Sequence, residues 1–398
     1  MDNKSKTNQK IKYKIAIIAP TPHYYHVPLY RYIAESPEID LTVYYCSDEA
    51  ITGRFSGDNI LNGYSYKFMK NYSLHPSYLY WPFGLINFGI WREIKNGKYD
   101  AVVLQAWTHL TWYIAFLACL TSKTPVLFMT DGNILSESSD TFKRIFKKII
   151  LQFLFKNATG FLTAGKANEQ LYIHYGASHK KMMPMRFSWG YGYFLEEFYR
   201  LKPQREKIRS FFGIKKEEFV LLFVGRLAKE KRIFDLLDAY NKVDKDNKKL
   251  FFVGDGPLLD QAKKYVEDLN IKGVYFAGFQ PRENLSNFYI LADALVLPSY
   301  WEAWGMVVNE AMCFGLPVIA SDKVGAVPDL VFNNQNGFIF PVGDIKCLSE
   351  CIKKLFNMPM QESLSFGEKS NKIIKEWIKG TNPVWQIITL LKKLGIKK

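Results

Sequence analysis

Short apolar runs recur along the chain, each closed by proline, glycine or a small polar residue. KIAIIAP (14–20) is the first, and LTVYYC, YDAVVLQ, TPVLFMT and TGFLTA repeat the pattern to residue 164. Runs of this length bounded by turn residues read as buried strands. Longer stretches with helical spacing separate them, such as PLYRYIAES and AWTHLTWYIAFLACL. Strands alternating with helices predict a parallel sheet covered by helices on both faces.

A second series begins after about residue 200. FVLLFVG, KLFFVG, VYFAG, ADALVLP and PVIAS are five short apolar strands, divided by helical patterns such as RIFDLLDAYNKV and PLLDQAKKYVEDL. The pattern predicts an α/β protein of two doubly wound, Rossmann-like domains, 13–195 and 196–375. A polar tail (1–12) precedes them. A basic helix (376–398) follows and is expected to pack back on the first domain. The junction SWGYGYFLEEFYRLKP (188–203), with Gly190, Gly192 and Pro203, has the composition of an interdomain hinge. Two such units face each other across a cleft at the carboxyl ends of their strands, where ligands bind in these sheets. A length of 398 residues agrees with two cores rather than one.

Charge refines this picture. The net charge is +15, and residues 1–200 hold 23 Lys and Arg against 15 Asp and Glu. The last thirty residues hold eight lysines and one glutamate, so the rest of the second half is neutral. All six histidines lie in the first half. The two halves are therefore expected to meet different partners. The basic charge does not follow a groove-reading motif, and no nucleic-acid partner is expected. The five cysteines form no C-x-x-C pair and read as small buried residues of a reducing compartment, with no metal site. The start lacks the apolar core of a signal peptide, and the run from Trp107 to Leu120 falls short of the ~20 residues of a membrane-spanning helix. A cytoplasmic protein is expected.

Three segments carry candidate chemistry. In FVGRLAKEKR (223–232) a strand ends at Gly225, and Arg226 and Lys231 lie across the loop and the first helical turn, where both can reach an anion above the strand ends. VGDGPL (253–258) is a tight strand-to-helix turn around Gly254. SYWEAWGMVVNEAMCFGLPVIAS (299–321) holds two glutamates in an apolar setting. ADALVLPS ends as a strand, YWEAWG forms a loop, and MVVNEAMCF forms a helix capped by Gly315. Glu302 then lies in the loop and Glu310 on the helix. Gly305 stands at the helix start, whose free amides and partial positive charge suit a diphosphate. Carboxylates flanking such a site suit sugar and ribose hydroxyls.

Together VGRLAKEK, GDGP and SYWEAWGMVVNEAMCFGLPVIASDKVGAVPDLV resemble glycosyltransferase family 4, strongly over about 220–345 and in outline elsewhere. The resemblance implies the GT-B fold and a retaining, metal-independent hexosyltransferase that uses a UDP- or GDP-linked sugar as co-substrate, with no other cofactor. It implies that Arg226 and Lys231 neutralise the donor diphosphate, and that Glu302 holds donor-sugar hydroxyls as a third catalytic residue. Glu310 would hold the ribose. Gly225 and Gly254, with the segment Ala303, Trp304, Gly305, Met306 and Val307, would line the phosphates and sugar, and Phe279 and Gln280 would contact the base. The acceptor would be a saccharide or lipid-linked saccharide of cell-envelope or surface polysaccharide or glycolipid synthesis. Two alternatives remain open: a nucleotide-sugar epimerase of the same fold, and a relative that has lost catalysis and binds membrane or nucleic acid.

The chain departs from the family in two places. Arg232 follows Lys231 where glycine is common, and the first loop, PTPHYYHVP (20–28), lacks the usual glycine pair. Gln105 falls near a position where histidine is common, with His109 four residues on. His23, His26, His109 and Asp131 are the acceptor-side candidates.

Finally, DTFKRIFKKIILQFLF (140–155) reads as a basic amphipathic helix. Phe142, Ile145, Phe146, Ile149, Ile150 and Phe153 fall on one side, with Lys143, Arg144, Lys147 and Lys148 on the other. Such a helix, with the basic tail and the aromatic segment 71–91, suits an anionic membrane surface. Peripheral association with the inner face of the cytoplasmic membrane is expected.

Overall fold

The structure, a computed structural model, describes residues 12–23, 25–48, 61–135, 141–186 and 190–398, with the side chains of 141–144 excepted. Nearly all of the polar tail, Asp140, the side chains of Phe142, Lys143 and Arg144, and residues 188–189 of the junction lie outside the described residues.

The first domain is a seven-stranded sheet of β1 (Tyr13–Ala19), β2 (Ile39–Tyr45), β3 (Ser65–Phe68), β4 (Ala101–Leu104), β5 (Val126–Phe128), β6 (Gly160–Thr163) and β7 (Met182–Pro184). All pairs are parallel, in the order β3-β2-β1-β4-β5-β6-β7. Its helices are α1 (Val27–Ala34), α2 (Gly89–Gly97), α3 (Leu110–Ser122), α4 (Thr141–Asn157) and α5 (Lys166–His174). The second domain begins with α6 (Tyr191–Leu201) and α7 (Arg205–Phe211). Its sheet holds β8 (Phe219–Val224), β9 (Lys248–Val253), β10 (Val274–Gly278), β11 (Ala294–Leu297), β12 (Val318–Ser321) and β13 (Gly337–Phe340), all parallel, in the order β10-β9-β8-β11-β12-β13. Helices α8 (Ile233–Asn241), α9 (Leu259–Asp268), α10 (Arg282–Leu291), α11 (Met306–Cys313), α12 (Val327–Leu330), α13 (Ile345–Phe356) and α14 (Met360–Lys379) cover it, and α15 (Pro383–Lys393) ends the chain.

The strands read from the sequence are present, and three more join them. β3 and β7 lie at the edges of the first sheet and β13 at an edge of the second. An edge strand needs only one neighbour and little burial, and β3 is exposed along its length. It therefore carries no apolar run to betray it.

Three apolar clusters organise the chain. One fills the second domain and takes in Tyr191, Phe194 and Leu201 of α6, so this domain starts near residue 190. The other two cover the faces of the first sheet. Val384, Ile387, Ile388, Leu390 and Leu391 of α15 pack with β1, β2 and α1, which returns the C-terminal helix to the first domain. In both sheets the strand order reverses beside the first strand of the domain, between β1 and β4 and between β8 and β11. Those reversals open the crevices into which the following loops project.

Candidate active site in the interdomain cleft

The loops after β8 and β11 meet above the crevice of the second sheet. Lys231 lies in a short 3-10 turn (Lys229–Lys231), and its Nζ pairs with Glu302 Oε1. Ser299 Oγ donates to the same oxygen at 2.7 Å. Glu302 Oε2 accepts no hydrogen bond among the described residues. The loops are also tied through their backbones, since Tyr300 N donates to Glu230 O at 2.7 Å. Arg226 is exposed, and among the described residues its guanidinium forms no hydrogen bond or ion pair. Arg232 differs: it pairs with Asp235 at 2.6 Å and adopts φ 48° at the start of α8. That left-handed backbone is the local reason glycine suits this position.

Gly305 opens α11 at φ 95°, and no side chain caps the first amides of the helix. A Cβ here would approach Val324 Cγ1 to 2.9 Å. Gly254 is constrained more tightly, because a Cβ would lie 2.0 Å from Gly225 O. Both glycines let two loops approach as no larger residue could. The Trp304 side chain is buried, donates to Asn309 Oδ1 at 2.8 Å and stacks on Trp377. Only its backbone is left for a ligand. Met306 and Val307 are half-buried beside it. Phe279 stands 49% exposed, while Gln280 is held locally by a 2.8 Å bond to Ala277 O.

Glu310 is 1% exposed. Tyr289 donates to its Oε2 at 2.6 Å and Tyr25, from the loop after β1, to its Oε1 at 3.1 Å. Burial raises the carboxyl pKa, opposed by these hydroxyls and by nearby Arg282. Arg282 donates to Gly190 O at 2.6 Å and lies over the rings of Tyr193 and Phe194.

The first domain supplies further cross-cleft contacts that the sequence reading missed. Asn133 Nδ2 donates to Glu302 O and Ala303 O, both at 2.7 Å. Lys166 N, at the start of α5, donates to Asp329 Oδ2 at 2.8 Å, and Lys166 Nζ to Pro328 O at 3.0 Å. Gly165, the residue before that helix, has no side chain to cap it, so an aspartate of the other domain does so. Asn133 had one available signal, its place in MTDGN two residues after Asp131. Nothing local marks Asp329.

The acceptor-side candidates divide. His23 and His26 lie on the loop after β1, with ring centroids 6.1 Å apart. Burial lowers their pKa values to about 4 and about 3, the second assisted by repulsion from the first, so both are neutral at pH 7. Asp131 is exposed in the loop after β5, and desolvation raises its carboxyl pKa. His109 corrects the expectation of a cleft residue. It is 1% exposed, bonded to Thr108 Oγ1 through Nδ1 at 2.9 Å and packed against Tyr78 and Trp112. The apolar N-terminus of α3 needs cover there, and the ring provides it. Gln105 accepts from Tyr30 at 2.5 Å, while its Nε2 is buried and unpaired among the described residues.

Helix α4 divides its apolar residues between the core and solvent. Leu151, Leu154 and Phe155 pack inward. The stripe of Ile145, Phe146, Ile149 and Phe153 faces solvent, with Phe146 and Ile149 each 62% exposed. Lys147 lies over the rings of Trp107 and Tyr175. Among the described residues no helix is long and apolar enough to cross a membrane. All five cysteines are free.

Two parallel-sheet domains facing across a cleft lined by strand-end loops make this a GT-B protein. The chain matches the family model of glycosyl transferases group 1 over residues 204–376. It is 28% identical over 200 residues to N-acetyl-alpha-D-glucosaminyl L-malate synthase of Bacillus anthracis, covering 50% of this chain and 51% of that one. It is 34% identical over 134 residues to lipopolysaccharide 1,6-galactosyltransferase of Escherichia coli K12, covering 32% and 37%. The chain thus spans about half or less of these curated relatives. Among solved structures, the fold resembles Anabaena Alr3699/HepE in complex with UDP, with a TM-score of 0.70, 16% identity and coverage of 96% and 98%.

Proposed function

We propose that this protein is a glycosyltransferase that moves a sugar from a nucleotide-diphosphate sugar to a saccharide or lipid-linked acceptor, with retention of anomeric configuration and without a metal. The synthesis of cell-envelope or surface polysaccharide or glycolipid is its setting. The observation that carries this reading is the Lys231–Glu302 pair just before the uncapped start of α11, with the Arg226 guanidinium unengaged in the loop after β8 that also carries Lys231.

In this reading Arg226, Lys231 and the first amides of α11 take the donor diphosphate and stabilise it as it departs. Lys231 and Ser299 fix Glu302 through Oε1, which leaves Oε2 for donor-sugar hydroxyls. Glu310 takes the ribose and Phe279 the base. The acceptor hydroxyl approaches from the side on which the diphosphate leaves, so that the departing phosphate accepts its proton. His23, His26 and Asp131 line the acceptor side as neutral or weakly basic groups. The UDP complex of the Anabaena protein makes UDP-sugars the first donors to test.

The exposed apolar stripe of α4, with exposed Lys148 on the same helix, further supports docking on an anionic membrane surface, where a lipid-linked acceptor resides. The basic C-terminal segment adds charge to the same domain.

The experiment is incubation with a panel of UDP- and GDP-sugars, read by release of nucleoside diphosphate. The expected result is release with one donor and its loss in Lys231→Ala and Glu302→Ala. Release that persists in both variants overturns the site assignment. Retention is read from the anomeric configuration of the product, and metal independence from activity in EDTA.

A further inference from the structure

Glu310 is divided between two tyrosines of different character. Tyr289 belongs to α10, is fully buried and holds Oε2 at 2.6 Å within the second domain. Tyr25 belongs to the loop after β1, is half-buried and reaches Oε1 across the cleft at 3.1 Å. With Glu310 1% exposed, a ligand hydroxyl has no route to either oxygen while both tyrosines stay. Reaching Oε2 would mean opening the packed core around Tyr289 and Phe314, whose rings stack at 5.5 Å. Reaching Oε1 requires only that a loop side chain from the opposite domain withdraw.

We propose that Tyr25 gates the nucleoside subsite. Its hydroxyl occupies on Glu310 Oε1 the place of a ribose hydroxyl, Tyr289 keeps Oε2 fixed, and nucleotide binding exchanges one hydroxyl for the other. The inference rests on the reading of Glu310 as the ribose ligand. A phenol and a sugar alcohol each donate one hydrogen bond to a carboxylate, so the exchange never leaves a buried charge without a partner. Glu310 keeps its Tyr289 bond and its orientation throughout.

The exchange also has a consequence for the other domain. Tyr25 shares its loop with His23, donates its backbone N–H to His23 Nδ1 at 3.3 Å and stacks on that ring. Release of Tyr25 therefore removes one of the contacts made by His23 on the acceptor side. The bonds from Asn133 and Lys166 continue to hold the domains together meanwhile. Donor arrival is thereby coupled to the contacts of the loop that carries His23.

Calorimetric titration with UDP and GDP, on wild type, Tyr25→Phe, Glu310→Gln and the double variant, tests this. Tyr25→Phe keeps the ring and removes only the competing hydroxyl, so it is expected to bind nucleotide about two- to tenfold tighter, the range one net hydrogen bond spans. Glu310→Gln is expected to weaken binding, and the gain from Tyr25→Phe is expected to shrink in that background. Unchanged or weaker binding by Tyr25→Phe, with Glu310→Gln weakened, overturns the gate alone. Unchanged affinity in Glu310→Gln overturns the ribose reading itself. Failure of either nucleotide to bind wild type overturns the donor site.

Discussion

Lys231 and Glu302 lie 71 positions apart and form an ion pair at the strand ends of the second domain. Each comes from a loop after one of two adjacent strands, β8 and β11, so the pairing of the sheet brings them together. The pair is partly shielded from water, which makes each charge dependent on the other. Lys231→Ala is expected to cost about 1–3 kcal/mol of stability by leaving the carboxylate underpaired. Under the proposed function UDP raises the Tm of the wild type, and Lys231→Ala should abolish that rise. The double variant with Glu302→Ala should recover part of the stability and none of the activity. Thermal denaturation with and without UDP separates these effects.

Asp329 caps a helix of the opposite domain, α5, through Lys166 N. Asp329→Ala is expected to destabilise the protein by about 0.5–2 kcal/mol, the usual range for a lost cap. The amides at the start of α5 should exchange hydrogen faster, which mass spectrometry of the peptide around Lys166 would detect. Unaltered exchange there would mean that the interdomain cap contributes nothing.

Asn133 donates to two backbone carbonyls of the Glu302 loop. Asn133→Ala should leave both without that donor and lower kcat/KM by about tenfold, since a loop carbonyl unpaired at a partly buried site costs ~1–3 kcal/mol. Asn133→Asp should be worse at pH 7, because an ionised carboxylate would face two acceptors. Lowering the pH should narrow the difference between the two variants, as protonation restores a donor. Steady-state kinetics across pH 5 to 8 checks this ordering.

His23 and His26 are neutral in the folded protein because burial holds their pKa values at about 4 and about 3, against 6.5 for the free side chain. Between those values and 6.5 the unfolded chain binds more protons than the folded one, so acid favours unfolding. The stability tied to these two groups is complete above pH 6.5 and is lost as the pH falls toward 4 and 3. The Tm of His26→Gln should therefore fall less steeply over that window than that of the wild type. Equal slopes would mean that His26 titrates normally in the fold.

Phe146 and Ile149 project from α4 into solvent. Phe146→Glu and Ile149→Glu should leave the Tm unchanged within about 0.5 kcal/mol of stability, as exposed positions do. Both should reduce retention on anionic vesicles in flotation at low salt. Equal retention of wild type and variants would exclude this stripe as the membrane contact.

Much of the cleft was legible because it is built from continuous pieces of chain. The strand, loop and helix from 292 to 313 could be parsed from proline, glycine and apolar spacing, which put Glu302 in a loop and Glu310 on a helix, as in the structure. The exposed stripe of α4 was legible only in part. Its periodicity marked an amphipathic helix but could not say which face meets the core, and Leu151, Leu154 and Phe155 took that place. His109 shows the same limit, since a histidine at a helix start reads alike whether a loop covers it or not.

The sequence by itself determined the alternation of strands and helices, the two-domain division, the turns at Gly254 and Gly305 and the residues gathered at the strand ends of the second domain. Each depends on neighbours within a few positions, where backbone sterics and apolar spacing act. Only the tertiary structure decided how the domains meet. Tyr25 on Glu310, Asn133 on the Glu302 loop and Asp329 on α5 are bonds between residues 163 to 285 positions apart. A lone hydroxyl, amide or carboxylate carries no sign of a partner so distant, because complementarity across a cleft arises only once both sheets have formed.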